Sequence, residues 1–256
     1  MTALVHVLYL FARLMRNLAR QPIWIALILI QPMFWLLLYS QLFRRITDLP
    51  GFGTTSYVDY LTPGIAIMTA FFSGTWAGMG TIEDLDRGVI ERFLATPARR
   101  SAIVYARVLQ SAVVASVQAL IILVVGLFLG ATNGGPLGWI VILLAAFLVA
   151  AGFSGISNGI ALLTRQEATM IAVANFIGLP LLFFSSILIA RNLIPSWMRG
   201  LSLANPVEWA VRASRGQVLP GTDWGKIGLY LVLLTAFTAL TGAFATRCFR
   251  AYQRTL

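Results

Sequence analysis

Residues 108–164 read VLQSAVVASVQALIILVVGLFLGATNGGPLGWIVILLAAFLVAAGFSGISNGIALLT. These 57 residues between Arg107 and Arg165 contain no charged side chain. A helix needs about 20 mostly apolar residues to cross the hydrocarbon of a bilayer. The run is too long for one crossing and suits two. Asn133-Gly134-Gly135-Pro136 marks the break, because Gly and Pro favour a turn. The same criterion applied outward finds four more apolar runs. The expected spans are therefore six, near 23–43, 60–82, 108–130, 139–163, 168–190 and 225–246.

The composition agrees. Of 256 residues, 59% are apolar and 11% charged, and the mean hydropathy is +0.83. Soluble domains carry about 45–50% apolar and about 25% charged residues, so an ordinary globular domain and a disordered chain are excluded. One His (His6), one Cys (Cys248) and nine acids cannot build a His/Cys metal cluster or an intramolecular disulfide, and they argue against a Ser-His-Asp site. No GxxxxGK[ST] phosphate loop occurs, and Lys226 is the single lysine. The net charge of +10 comes from 18 Arg and Lys226 against the nine acids. These basic residues flank the apolar runs, as topology and anionic lipid favour, which argues for membrane lipids as partners and against nucleic acid.

Arginine placement predicts orientation. With a cytoplasmic N-terminus the inner segments hold Arg13, Arg16, Arg20, Arg87, Arg92, Arg99, Arg100, Arg107, Arg165, Arg247, Arg250 and Arg254. The outer ones hold Arg44, Arg45, Arg191, Arg199, Arg212, Arg215 and Lys226. Twelve against seven favours both termini inside, in a plasma membrane of bacterial type. No small-residue cleavage site follows the first apolar run, so span one is expected to be retained. Residues 1–21 place Leu4, Val7, Leu8, Phe11, Leu14, Met15 and Leu18 opposite Arg13, Arg16, Asn17 and Arg20. That is an amphipathic helix for the inner headgroup layer, or a topology anchor. The pairs Gly74/Gly78, Gly126/Gly130 and Gly155/Gly159 allow close helix approach, within one chain or between two. Trp24, Trp139 and Trp224 begin spans, at the depth where indoles settle.

The loop after span two is the most informative. Residues 83–100 hold four of the nine acids and four Arg. The pattern predicts a helix continuing span two, with Arg87 and Glu91 one turn apart and an end near Ala95 imposed by Pro97. Thr96-Pro97 then suits a cap and first turn of the next helix. Ile90, Phe93 and Leu94 form an apolar edge. Such an elbow suits docking to another protein, or is a solvated loop whose charges set topology.

Gly88-Val89-Ile90-Glu91-Arg92-Phe93-Leu94-Ala95-Thr96-Pro97-Ala98-Arg99-Arg100 resembles the first cytoplasmic loop of ABC-2 type transporter permeases, especially the daunorubicin-resistance type, with Phe93 where an aliphatic residue is usual. Leu179-Pro180, Ser185-Ser186, Ile194-Pro195-Ser196-Trp197-Met198 and Leu203-Ala204-Asn205-Pro206-Val207-Glu208-Trp209, with Arg212 and Arg215, resemble a second, looser family region. The resemblance extends along essentially the whole chain. It implies a single all-α, six-span domain of the type V exporter kind, with an interfacial N-terminal helix and short re-entrant helices in 191–223. It implies a dimer, with a second copy or a related permease, above two ATPase subunits that carry ATP and Mg. The loop 83–107 would be the coupling element, through Arg87, Gly88, Ile90, Glu91, Arg92, Phe93, Thr96, Pro97 and Arg99.

In the outer segment, Asn205-Pro206 suits a helix start, and Glu208 and Arg212 fall one turn apart. Pro195, Trp197, Asn205, Pro206, Glu208 and Arg212 are the candidate outer gate, read as two short helices dipping into the outer leaflet or as an interfacial loop held by Trp197 and Trp209. No charge lies in the span cores, so a soft path is expected. Its candidates are Phe71, Phe72, Trp76, Asn158, Asn175, Phe176 and Phe183, although ordinary packing is the plainer account of any one of them. The expected function is the non-enzymatic membrane subunit of an ATP-driven exporter of an amphipathic drug, antibiotic or lipid. An ion-coupled secondary transporter would want an ionisable group at the midplane. It remains an alternative, as does an exporter of a lipid-linked polysaccharide.

Overall fold

A computed structural model describes residues 3–20, 22–43, 45, 47, 56–94, 100–188, 191, 194–218 and 221–254. Ten helices and no strand occur among them: α1 (Ala3–Ala19), α2 (Pro22–Leu42), α3 (Tyr57–Asp86), α4 (Val89–Leu94), α5 (Arg100–Phe128), α6 (Gly135–Thr164), α7 (Glu167–Phe183), α8 (Ser196–Ser202), α9 (Pro206–Arg215) and α10 (Trp224–Gln253). By length and composition, α3, α5, α6 and α10 can each cross a membrane, while Leu27–Leu42 and α7 are shorter apolar helices.

The turn expected at 133–136 is present. Asn133, Gly134 and Gly135 take φ of 52°, 69° and 70°, and Pro136 sits in the first turn of α6. The Asp59 carboxylate in α3 accepts from the Thr132 N–H (2.5 Å) and Oγ1 (3.0 Å), tying this turn to the start of α3. Helix α6 is the hub and packs on α3, α5, α7, α9 and α10. Its buried Phe153 meets Phe71 of α3 edge-on at 4.7 Å and Phe237 of α10 at 5.3 Å.

The glycine pairs serve packing within the chain. A Cβ on Gly74 would lie 2.5 Å from the Ala150 carbonyl oxygen, and one on Gly78 would lie 2.6 Å from that of Ser157. Gly155 and Gly159 do the same for α6 against Thr241 and Phe244 of α10. Gly126 faces Thr62, whereas Gly130 takes φ +92° in the turn after α5.

Three boundaries depart from the sequence expectation. Helix α3 runs past the apolar window, as the charge pattern after span two predicts, but it ends at Asp86 rather than near Ala95. Helix α10 likewise continues to Gln253, because Cys248, Phe249 and Tyr252 are buried against α5 and α6. Helix α7 stops at Phe183 rather than near Ala190. Residues 184–188 are non-helical, and other elements claim their polar backbone.

Candidate functional site

The chain's polar chemistry gathers at two ends of the bundle. At one end, α3 gives way to α4. Arg87 caps α3, and Gly88 takes φ +63°, a left-handed conformation that costs glycine little. The expected continuous helix is therefore broken. Arg87 reaches back to Glu83 at 2.6 Å instead of forward to Glu91, and both partners of that pair are exposed.

Among the described side chains of α4, Ile90 is the buried anchor. Ile90 is buried among Val104 and Val108 of α5, Leu162 of α6 and Phe249 and Tyr252 of α10. Glu91 and Arg92 are exposed, and Phe93 is half-buried beneath the Arg13 guanidinium, 4.8 Å from its ring centre. Helix α1 packs along α5, so α1, α4 and α5 meet at this corner. Asp84 and Arg107 pair between α3 and α5, with Arg107 lying over Gly80. Thr96, Pro97 and Arg99 lie outside the described residues, as does the side chain of Trp24.

At the opposite end, α9 carries Glu208, Arg212 and Arg215 on one face. Asn205 caps α9 by accepting from the Val207 N–H at 2.9 Å, and its amide donates to the Leu181 carbonyl at 2.6 Å. Glu208 is 1% exposed. Its Oε2 accepts from the Ser186 N–H (2.7 Å) and hydroxyl (2.8 Å), and its Oε1 accepts from Arg212 Nε (2.8 Å). Arg212 also donates to the Tyr230 hydroxyl at 2.8 Å.

Arg215 is 3% exposed. It donates to the carbonyls of Tyr60 (3.0 Å), Ser186 and Ile187 (2.5 Å) and stacks on the Tyr60 ring at 3.5 Å. Burial pushes the Glu208 carboxyl up, opposed by the Ser186 hydrogen bonds and the Arg215 charge. Burial likewise pulls the Arg215 guanidinium down. This knot explains the early end of α7, because Glu208, Arg215 and Asn205 satisfy backbone groups that a longer helix would have satisfied internally.

The sequence placed Glu208, Arg212, Asn205 and Pro206 together, and the structure brings them together. Pro195 caps α8, and Trp197 is 62% exposed, edge-on to Phe184. Arg215, Ser186, Tyr60 and Tyr230 were not among the candidates. The spacing 208, 212, 215 is a helical stripe and could have pointed to Arg215. The partners on α3 and α10 are long-range and leave no local mark.

The path candidates share no one cavity. Phe71 lines an apolar cleft of about 220 Å³ with Thr75, Phe153, Met170, Gly178 and Leu181. Phe72 is half-buried and Trp76 37% exposed. Asn158 is buried and bonded to Thr81 and to the Ser154 carbonyl (2.8 Å), cross-linking α3 and α6. Asn175, Phe176 and Phe183 are exposed on α7.

A helical bundle with several membrane-crossing helices and a bent polar elbow at one end defines a multi-pass membrane protein. The profile of the family described as ABC-2 type transporter matches residues 5–219, and the chain belongs to that family. It is 31% identical over 211 residues to the transport permease ycf38 of Cyanophora paradoxa, covering 80% of this chain and 71% of that one. It is 25% identical over 232 residues to the daunorubicin resistance ABC transporter permease protein DrrB1 of Streptomyces coeruleorubidus, covering 90% and 80%. It is also 25% identical over 222 residues to the inner membrane transport permease YadH of Escherichia coli K12, covering 82% and 83%.

Proposed function

We propose that this chain is the membrane subunit of an ATP-driven exporter, working as two permease copies above two separate ATPase subunits that carry ATP and Mg. The observation that carries the reading is the elbow. Helix α4 is cut from α3 by left-handed Gly88, anchored inward by Ile90, and offers exposed Glu91 and Arg92 outward. A rigid anchor with a free charged face suits a lever that a partner pushes. Thr96, Pro97 and Arg99 take part in the coupling, and α1 at the membrane surface stiffens the contact.

In this reading α2, α3, α5, α6, α7 and α10 are the six crossings of one domain, α8 and α9 are re-entrant from the outer side, and both termini are cytoplasmic at a plasma membrane. Pro195, Trp197, Asn205, Pro206, Glu208 and Arg212 close the outer end of the path, and Phe71, Phe72, Trp76, Asn158, Asn175, Phe176 and Phe183 lie along it or pack its walls. The cargo is amphipathic, a drug, antibiotic or lipid. The name of the daunorubicin-resistance relative and the apolar cleft beside Phe71 support this.

The test is affinity purification of the tagged chain from its native membrane, with stoichiometry by mass spectrometry, followed by transport in sealed vesicles. A soluble ATPase at equal copy number, and transport lost on ATP depletion but not on collapse of the proton gradient, is the expected result. A chain that purifies alone and moves cargo on an ion gradient overturns it.

A further inference from the structure

Among the described residues, two that are not glycine take a left-handed φ, Asn133 and Arg165. Asn133 belongs to the turn before α6, where its amide donates to the Leu123 carbonyl at 3.1 Å. Arg165, at φ 53°, ends α6, and with Gln166 it makes up the whole link to α7. Glycine takes that conformation at little cost. A larger residue persists there when the surrounding structure holds it. The reason for an arginine therefore lies in what its side chain touches.

Its guanidinium carbon stands 4.6 Å over the centre of the Tyr252 ring, within the range of a cation–π contact. An arginine that only fixed topology would turn to headgroups or water, whereas this one covers a buried side chain of α10. Tyr252 and Phe249 of α10 and Leu162 of α6 also enclose Ile90, the anchor of α4. The charges of Arg165 and of Glu91 in α4 both act on the Tyr252 hydroxyl. The α6–α7 turn and the elbow thus share one wall.

Helix α7 is otherwise loosely seated. Its buried residues are Met170, Ala174 and Gly178, and all three border the apolar cleft of about 220 Å³. A helix lying over a void lacks the dense contacts that fix a packed one. Its outer end is held where the Asn205 amide donates to the Leu181 carbonyl. Its inner end is the Arg165 turn. We infer that Arg165 is a positioning residue, whose stacking on Tyr252 ties the inner end of α7 to the anchor site of α4, so that the two elements move together. Its use in transport rests on the reading of α4 as a lever.

The first test uses the full chain alone in lipid nanodiscs, with no ATPase. Spin labels are placed by Arg92→Cys in α4 and Ala172→Cys in α7, both exposed positions, with Cys248→Ser removing the native thiol. Labelled chain is diluted with unlabelled chain, so that distances within one chain are read. The parent is expected to give one narrow distance peak. Arg165→Gly, which relaxes the backbone as it removes the cation, is expected to lose that peak with the thermal midpoint unchanged. Arg165→Lys and Tyr252→Phe, which keep the cation and the ring, should retain it. In vesicles with the co-purified ATPase, Arg165→Gly should lower cargo moved per ATP hydrolysed by about fivefold, the population shift that one cation–π contact supports. A narrow peak in Arg165→Gly, or a lost peak in Arg165→Lys, overturns the inference. An unchanged ratio of cargo to ATP beside a lost peak overturns the part assigned to Arg165 in transport. Failure of the exporter reading shows differently, as a parent that moves no cargo on ATP whatever its distances.

Discussion

The two ends of this bundle handle charge in opposite ways. At the α9 end, Glu208 and Arg215 are buried and held by hydrogen bonds with two other parts of the chain, α3 and the 184–188 segment, and with Arg212 of α9 itself. At the elbow, Arg87 and Glu83 pair at the exposed surface, and Glu91 and Arg92 are exposed as well. The first arrangement spends its charges on the fold. The second leaves them available. A buried ionic group whose partner is removed is strongly destabilising, whereas an exposed pair contributes little. The contrast therefore predicts where substitutions damage the protein itself and where they damage only what it does with others.

The largest effect is expected at Arg215. Arg215→Met takes a donor from each of the Tyr60, Ser186 and Ile187 carbonyls and removes a positive charge that favours buried Glu208, at a cost of about 3–5 kcal/mol. It should lower the thermal midpoint sharply or prevent recovery of folded chain. Arg215→Lys should rescue little, because an ammonium cannot fork to carbonyls that diverge. A midpoint unchanged in Arg215→Met would mean that the knot does not hold the fold, and the contrast between the ends would collapse.

Next come the close helix contacts midway between the ends. Gly78→Val puts a branched side chain where even a Cβ meets the Ser157 backbone at 2.6 Å. It also disturbs the Gly78 N–H to Ser157 Oγ bond of 2.9 Å. Overpacking of this kind costs about 1–3 kcal/mol. Gly228→Ala in α10 is the control, with nothing near its Cβ and a helical backbone. Equal midpoints for the two variants would show that α3 and α6 are free to move apart.

Much of the bundle was legible in the sequence, and what was missed shares a cause. Apolar windows and the Asn133–Pro136 turn predicted the long helices, because hydropathy and turn chemistry are local. The α9 start at Asn205-Pro206 and the Glu208–Arg212 pair were readable for the same reason. The early stop of α7 was not, since it follows from side chains of α9 reaching back more than 20 residues to Ser186 and Leu181. The break at Gly88 was missed differently. A helical charge pattern surrounds a residue whose left-handed φ only the folded chain reveals. Arg215 sat in plain view on the α9 stripe, but its partners, Tyr60 of α3 and Ile187, are brought to it by the fold.

The smallest expected changes in stability belong to the exposed face of the elbow, and they test it most severely. Arg87→Ala removes one exposed pair and should move the midpoint by no more than about 0.5 kcal/mol. Glu91→Arg reverses a charge on the exposed face of α4, so insertion and midpoint should stay close to the parent's. Ile90→Ala should cost about 2–5 kcal/mol, because Ile90 fills a closed apolar site among α5, α6 and α10. If α4 is a lever, ATP-dependent transport in sealed vesicles should fall at least tenfold in Glu91→Arg with stability untouched. Ile90→Ala should lose transport and stability together. Full transport in Glu91→Arg would leave the exposed face of α4 without a task. Full transport in an Ile90→Ala chain that still folds would mean that force does not pass through its anchor. Only separation of the two readouts at Glu91, joined to their coincidence at Ile90, distinguishes a transmitting element from a loop that merely closes the bundle.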